Sequence, residues 1–163
     1  MLDIGCGVGR LECSLVREVK SCTGIDIAPS MVSLAKKYVK APNVDFLVVN
    51  GRNLASLKNI QFDLIFSIIV FQHLSRDTFK NYIKDSFKHL KSKGKLFFQI
   101  SIYSKNRPPE PPLNHPWAIR SYTLHELKKI LKKSGFNCIS FYNVSGGKLN
   151  GRKNQVFVLG SKN

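Results

Sequence analysis

No CxxC pair occurs in the 163 residues, and Cys6, Cys13, Cys22 and Cys138 are not spaced with histidines as metal ligands. That excludes a disulfide framework and an ordinary structural zinc site, so four small buried thiols and no metal are expected. No apolar stretch approaches the roughly 20 residues that span a bilayer. The longest, LIFSIIVF at 64–71, reads as a buried strand and implies no membrane partner. The N-terminus lacks a basic segment leading into an apolar core and cleavage site, which places the chain in the cytoplasm. Acid is scarce: ten Asp and Glu stand against 26 Lys and Arg, a net charge of +16. Residues 76–163 hold 18 of the bases and four of the acids. Such a field attracts polyanions such as nucleic acid. The bases nevertheless lack the interleaved aromatics of a strand-binding groove. Lys80, Lys84, Lys88 and Lys91 recur opposite Phe79, Ile83, Phe87 and Leu90, as a solvated helix face requires.

With 43% hydrophobic residues, the chain is long enough for one substantial core, and residues 1–163 are expected to form a single domain. Apolar, β-branched runs at 23–27, 44–49, 62–70 and 95–103 alternate with helical patterns at about 10–20, 30–40 and 77–91. A short helical turn fits at 52–59. This alternation predicts an α/β, doubly wound, mostly parallel sheet covered on both faces. TLHE at 123–126 has the form of a capping box and opens a helix that stops at Gly135. Strands follow at 136–144 and 155–161. Their connector, SGGKLNGRKN, has no room for a helix, so the final pair is an antiparallel hairpin. The Pro-rich segment 104–122 is a lid, a substrate wall or a plain connector.

DIGCGVGR, at 3–10, places glycines at positions 5, 7 and 9 after one carboxylate. Glycine there keeps side chains from blocking a ligand's approach to the backbone N–H groups. The dinucleotide fingerprint GxGxxG needs a third glycine at position 10, where Arg10 stands, so a nicotinamide dehydrogenase is disfavoured. Asp26 closes the second strand, where a carboxylate can accept both hydroxyls of a ribose. Its alternative is simply to cap the helix that begins near Ser30.

Taken in order, LDIGCGVG, GIDIAPSM, FDLIFSIIVFQHL and the terminal hairpin resemble the class I S-adenosylmethionine-dependent methyltransferases. The similarity is to the small-molecule, type 11-like branch with QHL after the fourth strand. It implies a Rossmann-like fold and S-adenosylmethionine as cofactor. By the same resemblance, Asp3 and the turn Gly5, Cys6, Gly7 and Gly9 face the methionine part, with Asp3 near its amino group. Asp26 holds the ribose, and Ile27 and Met31 pack on the adenine. Asn50, Gly51 and Arg52 lie at the adenine edge. Asn50 replaces an acidic residue there, though its amide oxygen can still accept from the adenine amino group. Ser67 lines the site by its backbone.

Methyl transfer requires alignment of the acceptor, exclusion of water and, for a hydroxyl or protonated amine, a base. His73 is the candidate base, or it merely opens a helix. Arg120, Tyr122 and His115 are weaker candidates for acceptor binding, while Phe71 and Trp117 are packing or pocket wall. The NPPY-type sequence of enzymes that methylate nucleic acid bases is absent, with SIIV in its place. The expected acceptor is therefore an O or N of a small molecule. The alternatives are RNA or another macromolecule held by the basic half, and a truncated, non-catalytic cofactor-binding remnant. Only Met1 and Leu2 precede Asp3, so the first strand is short and an N-terminal segment is expected to be missing. In that case the chain alone would bind cofactor poorly.

Overall fold

The β-branched runs pair into one sheet, in a computed structural model that describes residues 1–103, 106, 108–112, 118–143 and 154–163. The strands are β1 (Leu2–Ile4), β2 (Cys22–Asp26), β3 (Val44–Val48), β4 (Phe62–Ser67), β5 (Leu90–Ile102), β6 (Ser121–Tyr122), β7 (Cys138–Asn143) and β8 (Asn154–Ser161). Between them run α1 (Arg10–Leu15), α2 (Pro29–Tyr38), α3 (Arg76–His89) and α4 (Leu124–Lys133). The sheet order is β3-β2-β1-β4-β5-β8-β7, with β6 paired to the end of β5. β1, β2, β3, β4 and β5 are parallel. β1 has β2 on one side and β4 on the other, so the strand order reverses there, and in open α/β sheets such a reversal is where a ligand crevice forms at the carboxyl ends of the strands.

β8 runs antiparallel to β5 from Lys95↔Ser161 to Ile102↔Asn154, and β7 pairs antiparallel on its far side. The expected antiparallel strand is therefore present, but it is inserted inside the sheet, and β7 forms the edge. β6 has no counterpart in the sequence-based expectation, because two residues are too few to show a period.

Several boundaries differ from expectation for identifiable reasons. α1 stops at Leu15, five residues early, where Asn43 donates its amide to the carbonyls of Val16 and Val19, each at 3.0 Å. β4 ends at Ser67, since Ile69 turns the chain into a left-handed conformation (φ 61°) and Phe71–His73 form a single 3-10 turn. β5 follows α3 without a loop, but its register with β4 slips until Leu64↔Lys95, and Lys93 (φ 64°) lies in the irregular part. The helical turn expected at 52–59 is one 3-10 turn, Ala55–Leu57. The Thr123/Glu126 capping box is present: Thr123 N donates to Glu126 Oε2 at 2.7 Å, and Glu126 N to Thr123 Oγ1 at 3.1 Å.

The main core joins Phe71, Phe79, Tyr82, Phe98 and Tyr122, with centroids 4.9 Å apart for Phe79–Tyr122 and 5.3 Å for Phe71–Phe98. A smaller cluster of Cys6, Val32, Ala35, Val39 and Phe46 seats α2 against β3 and the turn after β1. The lysine face of α3 is exposed at Lys80, Lys84 and Lys88, while Phe79 and Ile83 are buried. Lys91 lies beyond the helix, in β5.

Candidate functional site

The turn from Gly5 to Gly9 leaves the carboxyl end of β1 and is held by its own backbone. Gly5 N and Cys6 N both donate to Ile25 O, at 2.8 and 3.0 Å, and Gly9 N donates to Cys6 O at 3.0 Å. Gly7 N donates to Asp26 Oδ2 at 3.0 Å. This corrects the reading of the turn as a set of open donors, because all four of these N–H groups are bonded within the protein. Bare Cα surface is what it presents. A Cβ on Gly5 would lie 2.2 Å from Val70 Cγ2, so Gly5 lets the turn pack against the segment after β4. A Cβ on Gly7 would meet nothing within 4 Å, and its φ of 55° suits glycine. Gly7 thus borders open space into which a ligand can come close to the main chain.

Asp26 spans the other side of that space. Its Oδ1 accepts from Ala28 N at 2.9 Å, at the start of α2, and its Oδ2 accepts from Gly7 N. The capping and ligand-binding alternatives are therefore not exclusive: a carboxylate has about four acceptor positions, and two remain for other donors. Ile27, 66% exposed, and Met31 lie just beyond it on the same edge. Gly51 (φ 71°) closes against Ile27, where a Cβ would be 2.7 Å from Ile27 Cγ2, and so joins the ends of β2 and β3. Asn50 Oδ1 accepts from Arg52 N at 2.8 Å, so one of its acceptor positions already shapes this turn. Ser67 is buried and donates its hydroxyl to Ile4 O at 2.9 Å, tying β4 to β1.

Two features of the site escaped the sequence reading. Ile69 is 53% exposed in a left-handed conformation, which is an outlier for a β-branched side chain and costs on the order of 1–2 kcal/mol. Glu12, on α1, is fully buried beside Asp3. Asp3 is itself only 2% exposed, so its carboxyl lies under the turn against Glu12 and does not open onto the crevice, contrary to the direct ligand contact expected. Burial first, then the Glu12 carboxyl and more weakly Asp26, push the Asp3 carboxyl up to about 9. Burial raises Glu12 as well. An inward-facing Glu on a six-residue helix gives no periodic signal that could have revealed it.

His73 is held by both ring nitrogens. Nδ1 lies 3.0 Å from Ala118 O and Nε2 lies 3.3 Å from Gln72 Nε2, a pattern in which Nδ1–H donates and Nε2 accepts. Arg120, 1% exposed, donates to His73 O at 3.0 Å and to the carbonyls of Pro111 and Pro112 at 3.2 and 3.1 Å. Its Nε lies 3.3 Å from Glu110 Oε1, close enough for charge attraction but not aligned as a hydrogen bond. Arg120 therefore pins the described part of the Pro-rich segment and presents nothing to an acceptor. Tyr122 is buried under Arg76, whose guanidinium carbon lies 4.5 Å from the ring centroid, and Phe71 is fully buried core. His115 and Trp117 lie outside the described residues. Among the described residues no cluster of metal-ligating side chains occurs, and no helix is long and apolar enough to cross a membrane.

Residues 1–94, which carry the glycine turn, Asp26 and the segment after β4, match the family described as a methyltransferase domain. The chain belongs to the methyltransferase-domain family. Within it, this methyltransferase domain is 32% identical over 111 residues to a ubiquinone biosynthesis O-methyltransferase of Xanthomonas oryzae pv. oryzae. That alignment covers 67% of this chain and 44% of the relative, so the chain spans less than half the length of the protein it matches. Among solved structures, an S-adenosylmethionine-dependent methyltransferase from Clostridium acetobutylicum superposes with a TM-score of 0.76 at 19% identity, over 99% of this chain and 82% of that one. Phosphoethanolamine N-methyltransferase 2 of Haemonchus contortus, in complex with S-adenosyl-L-methionine, superposes with a TM-score of 0.78 at 18% identity, over 99% and 48%. These two likenesses establish the Rossmann-like methyltransferase fold of the domain.

Proposed function

We propose that the protein is an S-adenosylmethionine-dependent methyltransferase that methylates an oxygen or nitrogen of a small-molecule acceptor in the cytoplasm. The observation that carries this reading is the open space bordered by Gly7 and Asp26, which are joined at 3.0 Å and lie at the strand-order reversal. The residues present fit the cofactor: Gly7 lacks the Cβ that would fill the space, and Asp26 keeps acceptor positions for two hydroxyls. The relative's O-methyltransferase name supports a small acceptor and, among atoms, an oxygen.

In this reading Asp26 holds the ribose, Ile27 and Met31 cover the adenine, and the Asn50–Arg52 turn limits its edge. Gly5, Cys6, Gly7 and Gly9 accommodate the methionine part along their main chain, above Asp3, and Ser67 keeps β4 against β1 behind them. S-adenosylmethionine supplies a methyl group on a cationic sulfur, so the protein chiefly aligns the acceptor and excludes water. Exposed Ile69 forms part of the acceptor wall. His73 is the proposed receiver of an acceptor proton, at Nε2, which requires the Gln72 amide to move aside while Ala118 O keeps hold of Nδ1. Residues 108–112 and 118–122, the described part of the Pro-rich segment, border the acceptor side, and the whole chain acts as one cofactor-binding domain.

The test is a panel of small hydroxylated and amino acceptors, with RNA alongside, incubated with radiolabelled methyl donor. Label in a small-molecule product supports the reading. Label in RNA alone, or cofactor binding with no turnover on any acceptor, overturns it.

A further inference from the structure

The lysine faces of α3 and α4 have no task in the reading above, and they meet across one groove. α3 lines it with Lys80, Lys84 and Lys88, and α4 with Lys129 and Lys133. All five side chains are exposed, and the groove has a volume of about 670 Å³. Its floor is apolar, formed by the half-buried Phe87 and Ile130. Gly135 admits the Phe87 ring, since a Cβ there would lie 2.5 Å from Phe87 Cζ. Among the described residues no acid lines the groove. Asp77 pairs with Lys80 at 2.9 Å and Asp85 with Lys88 at 3.2 Å, both along α3 itself. No acid of a described residue pairs with Lys84, Lys129 or Lys133. Facing rows of like charge repel each other, so an anionic occupant relieves a strain that the chain leaves uncompensated.

Within each helix the lysines recur every fourth residue, about 6 Å apart along the axis. A partner helix with Glu or Asp every fourth residue has the same rise. It can lie along the groove with an apolar stripe on Phe87 and Ile130 and its acids against both rows. A single-stranded nucleic acid fits worse, because its bases need an open aromatic face. The Phe87 ring packs T-shaped against Phe136 at 5.1 Å, has Lys162 Nζ 4.8 Å from its centroid and meets Gly135 at its tip. A lipid surface fits worse too: it takes up large apolar side chains that project outward, and among the described residues no exposed one lies on α3 or α4. We propose that the α3–α4 groove is a docking site for an acidic amphipathic helix of a partner protein. The rim charges steer and select that helix, while burial of its apolar stripe on the floor supplies most of the affinity. No residue of the proposed cofactor site lines the groove, so this inference stands apart from that reading.

The probe is a synthetic peptide of about 18 residues, roughly five helical turns, with a leucine stripe flanked by glutamates at every fourth position. Amide NMR spectra of the whole chain are recorded against this peptide, a scramble of the same composition, a uridine homopolymer, and vesicles of phosphatidylcholine and phosphatidylglycerol. The expected result is saturable shifts centred on Lys84–Lys88 and Lys129–Ser134 with the amphipathic peptide and none with the scramble. Affinity should fall several-fold as salt rises from about 0.05 to about 0.5 M. The double variant Lys84→Glu, Lys133→Glu should bind at least about tenfold more weakly, with an unchanged melting temperature because both side chains are exposed. The same reversal at the exposed Lys36 and Lys37 of α2 changes net charge equally but should alter affinity by less than about threefold. Absence of saturable shifts, equal binding of the scramble, shifts confined to other surfaces, or an equal loss in the α2 variant overturns the proposal. Tighter occupation of the groove by the homopolymer or the vesicles overturns it as well.

Discussion

Removing Asp26 tests the site most incisively, because one carboxylate both builds the turn and is assigned the ribose. In Asp26→Ala the bonds from Gly7 N (3.0 Å) and Ala28 N (2.9 Å) are lost. Each is a bond to a charged group, worth about 1.5–3 kcal/mol at most, and water can replace the lost acceptor at this partly exposed site. The net loss of stability is therefore about 2 kcal/mol, readable in urea unfolding. Cofactor affinity falls further, since two hydroxyl acceptors vanish: the expected weakening is ten- to a hundred-fold, or about 1.4–2.7 kcal/mol. Asp26→Asn separates the two roles. Its amide oxygen still serves one backbone N–H, but its NH₂ then faces the other, donor against donor, so a loss in affinity persists with a smaller loss in stability. Calorimetric titration with S-adenosylhomocysteine reads the affinity. An unchanged Kd in both variants would refute the assignment of Asp26, leaving it as a cap alone.

Other outcomes follow from the same geometry. Gly7→Ala, with open space around its Cβ, folds at a cost of about 1–2 kcal/mol for its left-handed backbone and loses at least about tenfold in cofactor affinity, whereas Gly5→Ala collides with Val70 and unfolds at a lower urea concentration. In the ligand-free protein, the Asp3 carboxyl titrates higher when folded, at about 9, than its ordinary 3.8. The folded state therefore holds the extra proton, and the associated stability is complete below about pH 4 and is lost as pH rises toward 9, by at most about 1.4 kcal/mol per unit. Urea unfolding at pH 5, 7 and 9 should show this slope, and Glu12→Gln should lessen it without abolishing it, because burial, the largest cause, remains. Arg120→Met strands the carbonyls of His73, Pro111 and Pro112, so it should cost about 3 kcal/mol and speed proteolysis within 104–122; unchanged cleavage would contradict the pinning role.

Much of this was legible in the chain because it is local. The capping box at Thr123, the glycine at 135 and the spacing of Gly5, Gly7 and Gly9 each act within a few residues, and each appears where the pattern placed it. Features that depend on distant partners were not legible. Asn43 shortens α1 from about 25 residues away, and β8 enters the sheet beside β5 through pairings that no periodicity encodes. The strained Ile69, inside an apolar run, looks like more strand until the turn toward Gly5 is seen. Likewise, Asp3 reads as a ligand-facing carboxylate until Glu12 is found against it, and the histidine at 73 as a free base until Ala118 and Gln72 are found at its nitrogens.

The central claim is that Gly7 and Asp26 together cradle an adenosyl sulfur compound. A crystal structure with S-adenosylhomocysteine tests it most directly. The account predicts both ribose hydroxyls on the Asp26 carboxylate, with the amino acid part running along Gly5 to Gly9. Density for the ligand elsewhere, or equal occupancy of the same space by a nicotinamide dinucleotide, would contradict it.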